Sequence, residues 1–306
     1  MASESSARAI VAALLANIGI AAAKFIGFVV TGSSSMLAEA VHSVADTSNQ
    51  ALLLLGRRAA RRQADALHPF GYGRSRYFWS FVVAMVLFIL GSVFALYEGY
   101  RKIVHHTGLN SPLVAVAILT VAIILEALSF RTAVIESRPL KGESSWWRFV
   151  RNSRNPELPV LLLEDSGALV GLVFALCGVA LTAVTGDPRW DGIGTAAIGV
   201  LLGVIAIILM VEMHSLLIGE GATGAQVRAI RAALEQTEHV DRVIHLRTQY
   251  LGPDELLVAA KIAVGPRLEL AAVAAAIDAA EANIRAEVPI AQVIYLEPDL
   301  YRTPTG

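Results

Sequence analysis

His42 and Asp46 stand four residues apart in the stretch AVHSVADTSNQ, inside a long apolar run. At that spacing both side chains project from one face of a helix. A second acidic pair, Glu164 and Asp165, lies in the apolar run PVLLLEDSGALVGL. Ionisable groups inside a membrane span are costly and usually face a partner or a water-filled cavity. Imidazole and carboxylates offered by two helices make a small nitrogen and oxygen site. Such a donor set suits zinc, and also Mn, Fe or Co. The competing account is a structural polar cluster or an interhelical hydrogen bond. The acidic pair on a separate span weighs against it.

The elements that must position these residues are helices in a bilayer. The chain has 306 residues, 55% hydrophobic and 17% charged, with a mean hydropathy of +0.59. That is too apolar for an ordinary soluble enzyme. The net charge of −1 gives no support to a nucleic-acid partner. The single cysteine, Cys177, rules out an intrachain disulfide and a Cys-based zinc finger, and reads as a small core residue. The first apolar run has the length of a span and lacks a clear cleavage site, so no cleavable signal peptide is expected.

A helix crosses the bilayer core with about 20 apolar residues. Six spans are expected, near 9–31, 34–56, 77–103, 112–136, 158–184 and 191–217. The breaks at 56–76 and 137–159 are long and rich in arginine, and such loops stay in the cytoplasm. With six spans, both basic loops and both termini fall on that side. The expected setting is a multi-pass protein of the cell inner membrane. Trp146 and Trp147 fit an interfacial position.

Residues 1–217 thus form an expected transmembrane domain, and 218–306 an expected cytoplasmic domain. The latter shows a helix with Thr223 as its N-cap, two strands meeting at Gly252-Pro253-Asp254, a second helix and a last strand. That αββαβ order gives a small two-layer α/β domain. It is short enough that part of its surface is expected to be buried in a homodimer.

Other polar residues lie in or near the spans. Asn17, Glu39, Glu98, Glu126, Arg131 and Asp191 are read mainly as structural. Glu126 and Arg131 could lie along neighbouring faces of the fourth span and make structural pairs. Glu39 and Asp191, near the extracytoplasmic side, could instead draw cations to an exit. Gly199 and Gly203 in GVLLG allow close helix packing. His105 and His106 read as loop residues, and His239 and His245 as surface or strand histidines.

The stretch KFIGFVVTGSSSMLAEAVHSVADTSNQALLLLG, followed by HPFGYGRSRYFWSF, resembles the cation diffusion facilitator family of divalent metal transporters. The resemblance runs along the whole chain. LLLEDSGALVGL looks most like the branch that contains the animal mitochondrial zinc exporter. The resemblance implies six spans, a metallochaperone-like cytoplasmic domain, a homodimer and exchange of a divalent cation for protons. It implies a transport site of two residues on the second span and two on the fifth, each pair four apart. His42 and Asp46 match the first pair, and Asp165 the second member of the other. The first member falls on Leu161, which cannot coordinate metal.

Glu164 is the obvious substitute, but it sits about 100° round the helix from Asp165. It either completes the coordination shell or faces a neighbouring helix and stabilises the protein. Asn49 and Gln50 could support the site or line the pathway, with Asn49 closer to the Asp46 face. A further family site in the loop after the second span would use Asp65 and His68. The next expected histidine is Tyr72, so that site is weakened or absent. Positions matching a cytoplasmic two-zinc cluster fall near Ile244, Lys261, Tyr295 and Glu297. Of these only Glu297 can ligate, so no binuclear cluster is expected. The resemblance also places a charge pair near Arg74 and Glu220, joining the membrane and soluble domains.

Protons and metal compete for the same ligand atoms, so uptake of one couples to release of the other. Alternating access would come from spans rocking about a fixed site. No P-loop is present, so a proton gradient is the natural energy source. No resident cofactor is expected; the transported ion is Zn²⁺, with Mn²⁺, Fe²⁺ and Co²⁺ open. The sequence has neither a His-Glu-x-x-His motif nor a Gly-x-Ser-x-Gly elbow, which disfavours an enzyme. A continuous polar pore is not evident. A metal-responsive scaffold that does not transport stays open because of Leu161.

Overall fold

The computed structural model describes residues 18–105 and 111–301. Residues 9–17 of the first expected span, Asn17 and His106 lie outside the described residues. Two compact units emerge. One comprises residues up to Gly56 together with Phe78–Met213; the other comprises Arg57–Tyr77 and the chain from His214 onward. The basic loop after the second span therefore groups with the C-terminal part of the chain.

The first unit is helical. Its described elements are α1 (Ile18–Thr31), α2 (Ser34–Ala60), α3 (Ser75–Val86), α4 (Phe94–His105), α5 (Pro112–Lys141), α6 (Trp146–Asn152), α7 (Glu157–Thr185) and α8 (Arg189–Ile218). Seven residues of π-helix, Leu87–Val93, join α3 to α4 into one long rod. Among the described residues, four helices are long and apolar enough to cross a membrane. They are the α3–α4 rod, α5, α7 and α8. Helix α2 has the length, since 27 residues rise about 40 Å. Its apolarity is diluted by Glu39, His42, Asp46, Asn49 and Gln50.

The helices pack through Leu87, Leu119, Leu172, Ile198, Leu202 and Leu209, all buried. Large apolar side chains such as Ile124, Val200, Ile207 and Val211 face outward, as a lipid solvent permits. Close packing is built around α8. A Cβ on Gly199 would stand 2.8 Å from the backbone nitrogen of Leu96, and one on Gly203 would stand 2.7 Å from Ser92 Oγ. Only glycine admits that approach, as the GVLLG spacing leads one to expect. Cys177 departs from expectation. It is exposed on the flank of α7 rather than packed in the core. Trp146 and Trp147 open the short helix α6 and are exposed.

The turn between α1 and α2 is clamped from α4 and α8. Asp191 of α8 is fully buried and accepts hydrogen bonds from the backbone amides of Ser34 (2.8 Å) and Ser35 (3.3 Å), and from Ser33 Oγ (2.9 Å). These amides are unsatisfied donors at the start of α2, where an anion is favourable. Lys102 of α4 donates to the carbonyl of Gly32 at 3.0 Å and lies 3.8 Å from Asp191. Glu98 accepts from Ser34 Oγ at 3.1 Å and from Arg101 at 2.8 Å. Asp191 is thus saturated by structural bonds rather than presented to a passing cation.

The second unit follows the expected αββαβ order: α9 (Gly224–Glu235), β1 (Val240–Gly252), β2 (Glu255–Val264), α10 (Leu270–Glu287) and β3 (Val293–Asp299). Thr223 caps α9 with a reciprocal bond pair. Its hydroxyl accepts from Gln226 N, and the Gln226 side chain accepts from Thr223 N. Strands β1 and β2 pair antiparallel, and β3 joins β2 in parallel after the α10 crossover. Leu256, Val258, Ala260 and Ile262 alternate inward along β2 and meet Ile230, Leu234 and Ile284 from the helices.

Candidate metal-transport site

Helix α2 carries His42, Asp46 and Asn49 along one stripe because 3 to 4 residues make about one turn. Asn49 lies between α2 and α7 and donates from Nδ2 to Glu164 Oε1 at 2.7 Å. The Asp46 and Glu164 carboxyls also meet at hydrogen-bonding range. Two carboxyls facing each other inside a bilayer repel unless a proton or a cation stands between them. Glu164 therefore turns towards α2. Asp165, one residue on, turns towards α5, where Ser129 Oγ donates to its Oδ2 at 3.3 Å.

His42 is 1% exposed, and its Nδ1 lies 3.6 Å from Asp46 Oδ1. Among the described residues, neither ring nitrogen has a hydrogen-bond partner, nor does Asp46 Oδ1 or Asn49 Oδ1. A buried polar atom without a partner costs about 1–3 kcal/mol. Four such atoms lie along one stripe of α2.

A cavity of about 170 Å³ opens between α1, α2, α5 and α7. Asp46, Gln50, Glu126, Glu164 and Asp165 line it, with Leu161 on the same wall. At roughly 30 Å³ per water, it has room for an ion with part of its hydration shell. Above it, Lys24 of α1 bonds Glu39 Oε2 at 3.1 Å and Ser43 Oγ at 2.8 Å, both buried. Among the described residues, no three of His, Cys, Asp and Glu converge tightly enough to hold a metal ion. The donors surround a space rather than a point.

Two charges in the helices, Lys24 and Glu126, take places that the sequence does not reveal. Glu126 faces the cavity, and no ion pair joins it to Arg131 among the described residues; Lys24 is the inner partner of Glu39. The signal for both was present, since each is a lone charge in an apolar run. Periodicity could not say which helix each would meet.

The loop after α2 is organised around Tyr72. Its hydroxyl donates to Asp65 Oδ2 at 2.6 Å, His68 stacks on its ring at 4.4 Å, and Arg62 lies over it at 4.5 Å. Asp65 Oδ1 accepts from the backbone amides of Leu67 and His68. The bond from Tyr72, reinforced by these amides, holds the Asp65 carboxyl down at about 2. The tyrosine at the missing histidine position thus occupies Asp65. Arg74 lines a neighbouring groove with Gln249 and Leu251, and Arg76 pairs with Asp254 at 2.6 Å.

In the C-terminal sheet, Lys261 stands between Glu297 (3.0 Å) and Asp299 (2.9 Å). His239 lies 3.7 Å from Glu238, and His245 sits in β1 opposite Lys261.

Comparison with known proteins gives the family of the chain. The cation efflux transmembrane domain family matches residues 10–218, and the cation efflux protein cytoplasmic domain matches residues 222–299. The mouse (Mus musculus) mitochondrial proton-coupled zinc antiporter SLC30A9 is 34% identical over 225 residues, covering 72% of this chain and 39% of its own. Metal tolerance protein C4 of Arabidopsis thaliana is 30% identical over 261 residues, covering 84% of this chain and 57% of its own. The magnetosome protein MamB of Magnetospira sp. (strain QH-2) is 26% identical over 244 residues, covering 79% of this chain and 78% of its own. This chain thus spans about two fifths of the length of the SLC30A9 relatives it matches. Among solved structures, a variant of the MamM C-terminal domain covers 26% of this chain and 94% of its own, with 24% identity and a TM-score of 0.25. With both family domains matched in order along the chain, this multi-pass integral membrane protein belongs to the cation efflux family, a family of transporters rather than enzymes.

Proposed function

We propose that this chain exports zinc in exchange for protons, using the His42, Asp46, Glu164 and Asp165 donors around the cavity. The observation that carries the reading is the buried His42 imidazole, with no hydrogen-bond partner among the described residues, beside Asp46, whose carboxyl meets Glu164 of α7. A metal ion satisfies those atoms in one state and protons in the other, so the two loads alternate. Inward and outward access then follow from helices rocking about the site. The similarity to proton-coupled zinc antiporters supports both the cargo and the counter-ion.

The reading includes six spans, with the helix ending at Thr31 as the first and α2 as the second. The transmembrane domain is residues 1–217 and the cytoplasmic domain 218–306. The termini and both basic loops are cytoplasmic, in the cell inner membrane. The chain works as a homodimer through its C-terminal domain, and an Arg74–Glu220 pair ties the loop to the start of that domain. Asn49 holds Glu164 in place, and Gln50 lines the path. Imidazole among carboxylates favours Zn²⁺ over Mg²⁺ and Ca²⁺, with Mn²⁺, Fe²⁺ and Co²⁺ as the alternative cargo. Leu161, in place of a ligand, favours one other reading, a metal-responsive scaffold that does not transport.

Flux into proteoliposomes separates these readings. Purified protein is sealed in vesicles, and zinc, manganese, iron and cobalt are each supplied with and without an imposed pH gradient. Zinc flux that rises with the gradient is expected. Zinc flux indifferent to the gradient overturns the exchange, and no flux of any cation leaves the scaffold.

A further inference from the structure

The cavity has one carboxylate that the pairing of α2 with α7 does not use. Glu126 projects from α5 into the same space as Asp46, Glu164 and Asp165. Its position is half-buried in the middle of α5. It has no hydrogen-bond partner and no ion pair among the described residues. Its charged surroundings are Lys24, Asp165, Glu39, Asp46 and Glu164, and Lys24 is already committed to Glu39 and Ser43.

Charge balance makes this arrangement demanding. Four carboxyls, those of Asp46, Glu126, Glu164 and Asp165, line about 170 Å³ of space within the bilayer. The one nearby lysine is spent on a different acid. Such a cluster is costly unless cations enter it. An acidic cluster alone would not specify what enters. His42 adds the second mark: its side chain is only 1% exposed, neither nitrogen is hydrogen-bonded among the described residues, and Nδ1 stands 3.6 Å from the Asp46 carboxyl that lines the cavity.

The cavity wall also shows where a donor is lacking. Leu161 lies one turn before Asp165 on α7, so the two share a face, and Leu161 contributes only carbon to the space. Glu126 reaches that space from α5, beside Ser129, which already orients Asp165. We infer that Glu126 is a ligand to the transported cation, supplied from α5 in place of the donor that Leu161 cannot provide. This rests on the transport reading above and extends it from two ligand-bearing helices to three. It also gives α5 a reason to move with the load, since a cation bound between α5 and α7 draws the two together.

The test uses the full chain, purified and shown to be a single species by gel filtration. Zinc is titrated calorimetrically against the parent, Glu126→Gln, Leu161→Asp and the double variant, and flux is measured in proteoliposomes. Glu126→Gln keeps the shape and removes the charge. It is expected to weaken zinc binding at least tenfold and to slow flux. Leu161→Asp in the same chain is expected to recover most of the affinity, because it restores a carboxylate to the same space. A structural role for Glu126 would not give that recovery. Parent-like affinity and flux in Glu126→Gln overturn the inference while leaving the transport reading intact. Loss in Glu126→Gln that Leu161→Asp fails to restore overturns it as well. A parent that neither binds nor moves zinc overturns both.

Discussion

At the scale of single residues, the consecutive acids of α7 divide their work. Glu164 meets Asp46 and Asn49 on α2, and Asp165 meets Ser129 on α5. The offset of about 100° between neighbours in a helix aims them at different partners around one cavity. His42, Asp46 and Asp165 were legible in the sequence because charge is conspicuous in an apolar run. The direction of Glu164 was not, since it depends on how α7 is rotated against α2. The two variants should therefore separate. Glu164→Gln keeps the bond to Asn49 while removing a charge from beside Asp46. It is expected to weaken zinc binding by about tenfold, or about 1.4 kcal/mol. Asp165→Asn and Asp46→Ala remove proposed ligands outright and are expected to abolish flux in a folded protein. Calorimetry on the three variants checks this. Unchanged affinity in Glu164→Gln, with loss in Asp165→Asn, would mean that water fills the position of Glu164.

At the scale of elements, α2 must hold a polar stripe at one depth in the membrane, and its start is fixed for that purpose. Asp191 and Lys102 grip the two ends of the α1–α2 turn, the acid on the amides of α2 and the lysine on a carbonyl after α1. Helix lengths and GVLLG packing could be read from the sequence, because hydropathy and glycine spacing are local. The clamp could not, since Asp191 is more than 150 residues from Ser34 by the separation of 157 along the chain. Asp191→Asn halves the acceptor capacity and leaves Lys102 beside a neutral amide. Removing one partner of a buried charge pair costs about 3–5 kcal/mol. A markedly lower melting temperature in detergent is expected, with weaker transport following from misplaced α2. Glu98→Gln, at the edge of the same network, is expected to shift melting far less. Equal shifts in the two variants would mean that Asp191 is not the anchor.

At the scale of the whole molecule, the chain joins a helical membrane unit to an α/β unit in which Lys261 is paired with two acids. The αββαβ order was legible because strand alternation, the Thr223 cap and the Gly252-Pro253-Asp254 turn are all local signals. The placement of Lys261 was not, because the parallel pairing of β3 with β2 brings Glu297 and Asp299 to it from beyond α10. Its ammonium sits between these carboxylates, where a divalent ion would otherwise find oxygen donors. The hydrogen bonds that it donates to Asp299 and Glu297 raise the lysine above its usual range. A raised folded value adds stability that is fully present below the unfolded value of about 10.4 and is lost as pH rises through the folded one. The pairing therefore holds constant through neutral pH and fades only in strong alkali. Zinc titration of the full chain is expected to detect sites in the membrane unit alone, with excess zinc leaving the C-terminal unit's hydrogen exchange unchanged. Lys261→Ala frees both acids and is expected to make exchange in β2 and β3 zinc-sensitive. Zinc-dependent protection of those strands in the parent chain would show that the lysine does not stand in for a metal.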